Sequence, residues 1–460
     1  MSQTLTRNPY TGDVIAKYPQ DSLSVIDEKI AHLRQRFQQW QMVDVAERVA
    51  LLRSACDYFE ANRKQIAQDI TEQMGKPLSQ ANQEINGFFE RANYLLANAQ
   101  TFLADDIILD DNSCEQRISH QPLGVVVVIA AWNYPLLIAV NSVLTALLCG
   151  NTVLLKHASM TTAIGEHFQR AFGHIPGHEH LLLQTVTDHD VMANVLQHSD
   201  ISHVVFTGSS SGGQHVYQQT AHQLNPCHLE LGGKDAAYVD IDTDIDKAAA
   251  SLVDGAMYNA GQSCCGIERV YVHEKIYDAF IDACLRIIAD YRLGDPMDEG
   301  TSIGPLASAE SAILMREHVS EAVAQGAMLL TGGDSQTIGH AIFFQPTLLA
   351  NTNNSMQVMR EENFGPILPL MAVTDMFQAI KLINDNHYGL SAAIYSNDND
   401  KATEFANCVE VGTVFQNRCD YLAPALPWTG WKQSGIGSGL SKYGFYGLTK
   451  RRAINFNKKL

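Results

Sequence analysis

The sequence predicts an α/β fold with two doubly wound domains and a small additional β element. Continuous apolar runs rich in β-branched residues alternate with amphipathic helical segments, and this alternation occurs twice along the chain. Such runs are typical of parallel strands that helices cover on both faces. At 460 residues the chain is long enough for more than one domain of this kind.

The composition argues against several classes of protein. The chain is 46% hydrophobic and 18% charged, which is typical of a folded globular protein rather than a disordered one. Its formal net charge of −18 repels the phosphates of nucleic acids and the surface of anionic membranes. We therefore expect neither nucleic acid nor membrane as a partner.

The N-terminal sequence and the cysteines favour a cytoplasmic location. Residues 1–19 contain no apolar stretch of the kind found in a secretory signal. The apolar run around Val125 to Ala131 is well short of the ~20 residues that a membrane span requires. The nine cysteines show no CxxC spacing, which favours reduced thiols over disulfides or a metal site.

Amphipathic helices are predicted over the first hundred residues. Three segments, at 25–40, 46–75 and 83–103, repeat apolar residues every three to four positions. Gly75 and Pro77 are expected to end the second of these helices.

Two strand-rich regions follow the helices. The first sheet is predicted from LGVVVVIAAW (123–132), NTVLLK (151–156) and HVVFTG (203–208). The hinge between the two regions is expected at Gly232 and Gly233, which allow a tight change of direction. The second sheet is predicted from RVYVHE (269–274), GAMLLTGG (326–333), FFQPTLLA (343–350), PILPLMAV (366–373), SAAIYS (391–396) and GTVFQN (412–417).

The adjacent cysteines in GQSCCG (261–266) are a candidate site of nucleophilic chemistry. A thiol is an effective nucleophile only when its thiolate is stabilised, for example by backbone amides in a partly exposed turn. The polar, glycine-flanked turn around Cys264 and Cys265 offers such an environment. The same residues are compatible with a structural cysteine, so this motif alone does not decide between the two roles.

Three further motifs carry groups that serve catalysis or ligand binding. Glu230 in LELGGK is a carboxylate at an apolar strand end, where it is suited to accept a proton. FTGSSSGG (206–213) leads a strand into a helix, and amides at such a helix start bind phosphate. Asn133 in AAWNYP follows a buried strand and has an amide that can donate to an oxyanion. Each of these motifs also occurs in ordinary strand ends and turns.

The order and spacing of the motifs together resemble the aldehyde dehydrogenase superfamily. WNYP, GNTVLLK, FTGS, LELGGK, GQSC and EENFGP occur in this order, and Cys264 lies 34 residues after Glu230. The resemblance extends from NPYTGDVI (8–15) to SGIG (434–437), which is nearly the whole chain. It implies an aldehyde dehydrogenase-like fold with two Rossmann-type domains.

The resemblance implies catalytic roles for three residues. Cys264 would attack the aldehyde carbonyl, and Asn133 with the backbone amide of Cys264 would hold the oxyanion. Glu230 would activate the water that hydrolyses the thioester, which favours a hydrolytic enzyme over coenzyme-A-acylating relatives. Because all three residues are present, a cofactor-binding structural protein on the same scaffold is disfavoured. No metal site is expected, since the cysteines lack metal-ligand spacing and the histidine-rich run at 167–180 is typical of a solvent-facing helix end.

The resemblance also implies an NAD or NADP cofactor. Thr207, Gly208 and Ser209 would lie along it, with Ser209 at the pyrophosphate. Ser159 takes a position that is often glutamate in NAD-preferring members, and its neutral hydroxyl would allow NADP. The remaining expected cofactor-binding residues are Trp132, Lys156 at the adenosine ribose, Gly213, Gly232, Glu362 at the nicotinamide ribose, and Phe364 beside the nicotinamide.

The substrate pocket is expected to be largely apolar. Members that oxidise succinate semialdehyde typically carry two arginines at the positions of Asn141 and Tyr258. A carboxylate in this pocket would therefore be desolvated without its usual partner. We expect an apolar medium-chain aliphatic or aromatic aldehyde, with a succinate-semialdehyde or lactaldehyde-type substrate as the alternative and Arg418 near the mouth as a reservation. The expected pocket residues are Tyr134, Leu137, Ile138, Asn141, Ser263, Cys265, Leu422 and Trp428.

The expected domain organisation follows the resemblance. Residues 1–103 and 123–232 would form the NAD(P)-binding domain, and residues 233–435 the catalytic domain. A hairpin within 104–122 and a strand within 449–460 would form a bridging element whose free edge binds a partner subunit. A homodimer or homotetramer is expected.

Overall fold

A computed structural model describes residues 2–459 of the chain. An antiparallel hairpin, Gln3–Arg7 with Val14–Pro19, comes first. Four helices follow it: Leu23–Trp40, Val45–Ala61, Arg63–Met74 and Leu78–Phe102.

The sequence-based prediction of a single helix over residues 46–75 is wrong. The chain leaves the helical conformation at Asn62, where φ is −111° and ψ is 14°. The side chain of Asn62 donates from Nδ2 to the carbonyl of Tyr58 at 2.7 Å, so it binds the end of the first helix instead of allowing it to continue. The predicted end of the second helix is confirmed, because Gly75 adopts the left-handed conformation with φ of +84°.

The first sheet has six strands, of which five are parallel. Their spatial order is Gly435–Ile436, Cys227–Glu230, Ile201–Thr207, Val125–Ala130, Thr152–His157 and Leu182–Gln184, and only the first of these runs antiparallel to its neighbour. Successive valines of Val125–Ala130 pack into cores on opposite faces of the sheet. This two-sided burial explains why the strand is apolar at every position. The further helices of this region are Pro135–Leu148, Thr162–Phe172, His189–Val195 and Ser210–Thr220.

The second sheet has seven strands. Their order is Met328–Thr331, Thr347–Ala350, Ile367–Val373, Ile267–His273, Asp235–Val239, Ser391–Tyr395 and Thr413–Gln416, and all neighbours are parallel except the first pair. The predicted α/β fold with two mainly parallel sheets is therefore confirmed. The later helices are Ile245–Met257, Tyr277–Ile288, Ala309–Ala324, Gln357–Arg360, Met376–Asn384, Asn399–Cys408 and Ser441–Gly447.

A small antiparallel sheet forms the additional β element. Strand Cys114–Pro122 lies in its centre, between Asp106–Asp110 and Thr449–Asn457. The outer strand exposes Ile107 and Ile108, with 60% and 62% of their surface accessible. None of the helices between residues 2 and 459 is both long and apolar enough to cross a membrane.

Candidate active site

The candidate site lies at the carboxyl edge of the first sheet, which is where parallel α/β sheets bind ligands. Strands Val125–Ala130, Ile201–Thr207 and Cys227–Glu230 are neighbours and end at this edge. Their ends bring Asn133, the Gly208 turn and Glu230 towards one region. The loop that carries Cys264 faces this region from the second sheet.

An unusual backbone conformation holds the loop before Cys264. Asn259, Ala260 and Gly261 are all left-handed, with φ of +54°, +55° and +70°. Gln262 fixes the turn, since its Nε2 donates to the carbonyl of Asn259 at 3.0 Å and its Oε1 accepts from the amide of Ala307 at 3.0 Å. A Cβ on Gly261 would lie 2.2 Å from a backbone carbon of Gly365, so no larger residue fits here.

Cys264 and Cys265 have different environments. Cys264 is partly exposed and borders two cavities, and its backbone N–H has no acceptor among residues 2–459. Cys265 is buried, and its Sγ donates to Oδ1 of Asp420 at 2.8 Å. Hydrogen bonding with Cys264, together with burial, raises the pKa of the Cys265 thiol well above its usual value. Cys264 is therefore the more accessible of the two thiols.

Asn133 is held by a buried ion pair between the turn after Met74 and helix Leu78–Phe102. Its Nδ2 donates to the carbonyl of Gln262 at 3.1 Å, which leaves its second N–H for another acceptor. Its backbone carbonyl accepts from Nζ of Lys76 at 2.8 Å. Lys76 pairs with Glu84, and Glu84 accepts from the amide of Leu136 at 2.8 Å. The sequence motifs did not identify this support, although Lys76 lies in MGKP at the predicted helix end.

Glu230 is buried, and its two carboxylate oxygens differ. Oε2 accepts from Oγ1 of Thr207 at 3.2 Å, across the parallel pair of strands. Oε1 is buried without a hydrogen-bond partner among residues 2–459. The nearest basic atom is Nε2 of His228, at 3.6 Å.

Seven of the ten predicted cofactor-binding residues line one cleft of about 210 Å³. Ser209 caps helix Ser210–Thr220 by accepting from the amide of Gly212 at 3.2 Å. A Cβ on Gly232 would lie 2.6 Å from the carboxylate oxygens of Glu362, so only glycine leaves this wall unobstructed. The seven residues are Trp132, Thr207, Gly208, Ser209, Gly232, Glu362 and Phe364.

Glu362 and Phe364 are fixed by buried polar contacts. Glu362 accepts from the amide of Gly233 at 3.0 Å, and burial, with the nearby charge of Glu268, raises its pKa to about 8. Phe364 adopts a φ of +50°, and its amide donates to Glu268 at 2.9 Å. The rings of Phe364 and Trp132 meet edge to face, with centroids 5.8 Å apart. Glu268 lies in no motif that the sequence predicted to be functional.

The other three predicted cofactor residues lie outside this cleft. Lys156 belongs to strand Thr152–His157, next to the strand that leads to Trp132, and Ser159 follows it in a short 3₁₀ turn. Gly213 lies inside its helix, where a Cβ would lie 2.4 Å from the side chain of Leu231. Its role is thus to let the helix pack closely against the strand end.

The residues around this cleft fit a dinucleotide. The cleft begins at the N-terminus of an 11-residue helix, whose free amides favour a phosphate. Lys156 is nearly buried, yet its ammonium group makes no hydrogen bond or ion pair with residues 2–459. Burial lowers the pKa of this lysine, which a hydroxyl or phosphate acceptor would offset.

A second cavity, of about 360 Å³, lies on the other side of Cys264. All eight predicted substrate-pocket residues line it: Tyr134, Leu137, Ile138, Asn141, Ser263, Cys265, Leu422 and Trp428. Cys264, Glu230 and Thr207 border both this cavity and the cofactor cleft. The two spaces therefore meet at Cys264 and Glu230.

The substrate cavity also contains charged residues that the motifs did not identify. Arg91 and Asp420 line it, and burial raises the pKa of Asp420 to about 7. Arg418 does not line this cavity: its guanidinium lies over the ring of Tyr421 at 3.8 Å, beside a neighbouring cavity. No local sequence pattern relates Arg91 to Asp420, because they are brought together only by the fold.

Comparison with known proteins agrees with this geometry. The family model described as the aldehyde dehydrogenase family matches residues 2–454. An aldehyde dehydrogenase of Paenarthrobacter nicotinovorans is 34% identical over 95% of this chain and 96% of its own. A succinate-semialdehyde dehydrogenase [NADP(+)] of Deinococcus radiodurans is 32% identical over 98% of this chain and 94% of its own.

Solved structures of aldehyde dehydrogenases are also similar to this chain. The crystal structure of betaine aldehyde dehydrogenase from Staphylococcus aureus in complex with NAD+ superposes with a TM-score of 0.93. It is 28% identical, and the match covers 100% of this chain and 92% of that one. The protein belongs to the aldehyde dehydrogenase family and is an NAD(P)-dependent enzyme that oxidises an aldehyde.

Proposed function

We propose that the enzyme converts its aldehyde to the carboxylic acid through a covalent intermediate on Cys264. The thiolate adds to the carbonyl carbon, while Nδ2 of Asn133 and the backbone N–H of Cys264 stabilise the oxyanion. When bound, the nicotinamide ring supplies the acceptor for the hydride that leaves this carbon. Glu230 then takes a proton from the water that attacks the resulting thioester, which releases the acid and frees Cys264.

One observation carries this proposal. The substrate cavity and the cofactor cleft meet at Cys264 and Glu230, so a group bound in either space reaches both residues. The free N–H of Asn133 and the unpaired amide of Cys264 provide the two donors that an oxyanion needs. Cys265 lacks this access because its thiol is buried and bonded to Asp420.

The adjacent cysteines allow a matched test. We expect Cys264→Ala to lower kcat for NAD(P) reduction by at least about a thousandfold, as expected for loss of a nucleophile. Cys265→Ala should keep most of the activity, because the buried Cys265 thiol, bonded to Asp420, is not the proposed nucleophile. Activity that survives in C264A but is lost in C265A would overturn the assignment.

We propose an apolar aldehyde of medium length as the substrate. Leu137, Ile138, Leu422 and Trp428 lie around the cavity that leads to Cys264, and such walls favour an apolar chain. The cavity of about 360 Å³ has room for a chain longer than acetaldehyde.

Arg91 favours a second candidate, an aldehyde with a carboxylate at its far end. Its side chain is buried, and its Nη1 donates to the carbonyl of Leu137 at 3.1 Å and to Oδ1 of Asn141 at 3.2 Å. The charges of Glu230, Glu84 and Glu90 act on this guanidinium from a distance, and its hydrogen bonds go to Leu137 and Asn141 instead of a carboxylate. Asn141 was expected to leave this part of the pocket without a cation, whereas Arg91 from helix Leu78–Phe102 lies directly beside it.

The kcat/KM values for different aldehydes distinguish the two candidates. If the apolar assignment holds, kcat/KM for hexanal exceeds that for succinate semialdehyde, and Arg91→Gln leaves this order unchanged. If the second candidate holds, succinate semialdehyde is preferred and R91Q reverses the preference. The lactaldehyde-type alternative predicts that a short hydroxyaldehyde exceeds both.

We further propose the domain roles and assembly that the sequence implies. Residues 1–103 with 123–232 would bind the cofactor, and residues 233–435 would carry the nucleophile. The exposed edge at Ile107 and Ile108 supports the small β sheet as a contact with a second copy of the chain, in a homodimer or homotetramer. A cytoplasmic location is proposed from the sequence. Light scattering of the purified chain tests the assembly.

A further inference from the structure

Two buried polar atoms face each other beside the proposed water-activating base. Nε2 of His228 and Oε1 of Glu230 lie 3.6 Å apart, and neither has a hydrogen-bond partner among residues 2–459. Buried polar atoms are rarely left unpaired, because each costs the free energy of its lost hydration. At this separation, a small movement is enough for the two atoms to form a hydrogen bond.

The strand places these residues together. His228 and Glu230 are two positions apart in Cys227–Glu230, so their side chains point to the same face of the sheet. Gly439 lies against them: a Cβ there would be 2.5 Å from Oε1 of Glu230 and 3.5 Å from Cε1 of His228. The absence of a side chain at Gly439 leaves the imidazole as the neighbour of this oxygen.

The environment of His228 favours its neutral form. Burial lowers its pKa, against the opposing effect of the Glu230 charge. His203 lies on the adjacent strand, where burial and a charge on His228 lower its pKa to about 3. Arg91 of helix Leu78–Phe102 faces the pair from the substrate cavity, where its charge interacts with that of Glu230. A neutral imidazole carries one N–H, and only the tautomer protonated at Nε2 can donate to the carboxylate.

We infer that His228 is a positioning residue for the hydrolytic step, in which its Nε2–H donates to Oε1 of Glu230 and orients the carboxylate towards the attacking water. Thr207 already donates to Oε2 at 3.2 Å, so the two residues would hold the carboxylate from both sides. The hydrogen bond stabilises the ionised carboxylate, which is the form that accepts a proton. This inference rests on the proposed role of Glu230 as the base.

The consequence concerns hydrolysis and not thioester formation. Loss of the donor should leave the rapid first turnover unchanged, because Cys264 and Asn133 do not contact His228. The loss of the donor should lower the steady-state rate after the burst at neutral pH. It should also shift the acid limb of the pH profile of this rate to higher pH. The expected shift is about one pH unit, the size that follows from losing a hydrogen bond to an ionised group.

Two amide variants of the full-length enzyme test the inference. The side-chain nitrogen of His228→Gln reaches the position of Nε2, whereas that of H228N is too short. We expect H228Q to keep the wild-type acid limb and H228N to shift it, with the same initial burst of reduced cofactor in both. H228L serves as the variant without a donor if H228N does not fold.

Two results would overturn the inference: an unshifted acid limb in both H228N and H228L, or the same shift in H228Q as in H228N. Glu230→Gln separates a failure of the inference from a failure of the proposed function. If E230Q continues to turn over at the wild-type rate, Glu230 is not the base and the proposed function itself is wrong. If E230Q stops after the burst while the His228 variants behave as wild type, only the role of His228 is wrong.

Discussion

The thiol of Cys265 donates to Oδ1 of Asp420 at 2.8 Å, although 155 residues separate them in the chain. From this contact we expect the two adjacent cysteines to differ in reactivity. A thiol that donates to a carboxylate is kept protonated, and thiolates are the reactive form. Cys264, whose side chain borders both cavities, remains accessible to a ligand.

Alkylation should therefore discriminate between the two thiols. We expect iodoacetamide to modify Cys264 before Cys265, since Cys265 is buried and bonded to Asp420. The enzyme should lose activity at the rate at which Cys264 is modified. Peptide mass spectrometry over time measures both sites. In Asp420→Ala, which removes the acceptor, labelling of Cys265 should increase. Faster labelling of Cys265 than of Cys264 in the wild type would contradict this account.

Asp420 should make the binding of anionic aldehydes depend on pH. Its pKa is raised to about 7, mainly by burial, so its carboxyl group is largely neutral below pH 7 and negative above it. A negative Asp420 repels the carboxylate of an anionic aldehyde, whereas Arg91 attracts it. The other titratable groups of this cavity near Asp420 are Cys265 and Asp254. We expect KM for succinate semialdehyde to rise above pH 7 relative to KM for hexanal.

Asp420→Asn is the control for this pH effect. It keeps the shape of the side chain but cannot ionise, so the ratio of the two KM values should become independent of pH. A ratio that changes with pH equally in the wild type and in D420N would assign the effect to another group.

The buried pair of Lys76 and Glu84 should be important for both stability and activity. Lys76→Met leaves the Glu84 charge buried without its partner, which costs about 3–5 kcal/mol of unfolding free energy. It also removes the donor to the carbonyl of Asn133, so kcat should fall. Urea unfolding and steady-state kinetics measure the two effects.

The double variant K76M/E84L tests the cause. If the destabilisation comes from an unpaired buried charge, removing that charge as well should recover much of the unfolding free energy. The loss of kcat should persist, because the support of Asn133 is still missing. If the unfolding free energy does not recover either, the destabilisation of K76M comes from a packing defect instead of an unpaired charge.

Gly232 should control access to the cofactor cleft. A methyl group there would lie 2.6 Å from the carboxylate of Glu362, which must move into the cleft or away from Gly233. We expect Gly232→Ala to raise KM for NAD(P) by about tenfold, the effect of an overpacking cost of about 1.4 kcal/mol. Gly300→Ala is a matched control, since nothing lies within 4 Å of its Cβ position. Equal effects of the two substitutions would argue against the close approach.

Local motifs predicted much of the fold and the general position of the site. The β-branched run at Val125–Ala130 predicted a strand buried on both faces, because burial on both faces requires apolar residues at every position. Asn133 and Gly208 lie in turns that follow such strands, and Glu230 ends the strand Cys227–Glu230. Parallel strands bring their carboxyl ends to one edge of the sheet. The short motifs therefore contained enough information to group these residues.

Long-range packing could not be predicted in the same way. Arg91 reaches the pocket from a helix whose other residues repeat an ordinary amphipathic pattern. Asp420 follows the last strand of the second sheet and meets Cys265 only in the folded chain. The break at Asn62 was hidden because the apolar repeat continues across it. The proximity of His228 to Glu230, in contrast, could be predicted from the sequence, because residues two positions apart in a strand point to the same face.

The most direct test of the central claim is to trap the intermediate. E230Q is mixed with NAD(P) and an aldehyde, quenched in acid, and the peptide that contains Cys264 is weighed by mass spectrometry. Our account predicts one burst of reduced cofactor per active site, together with an acyl group on Cys264 and none on Cys265. A burst without an acyl group on Cys264, or the group on another residue, would contradict it.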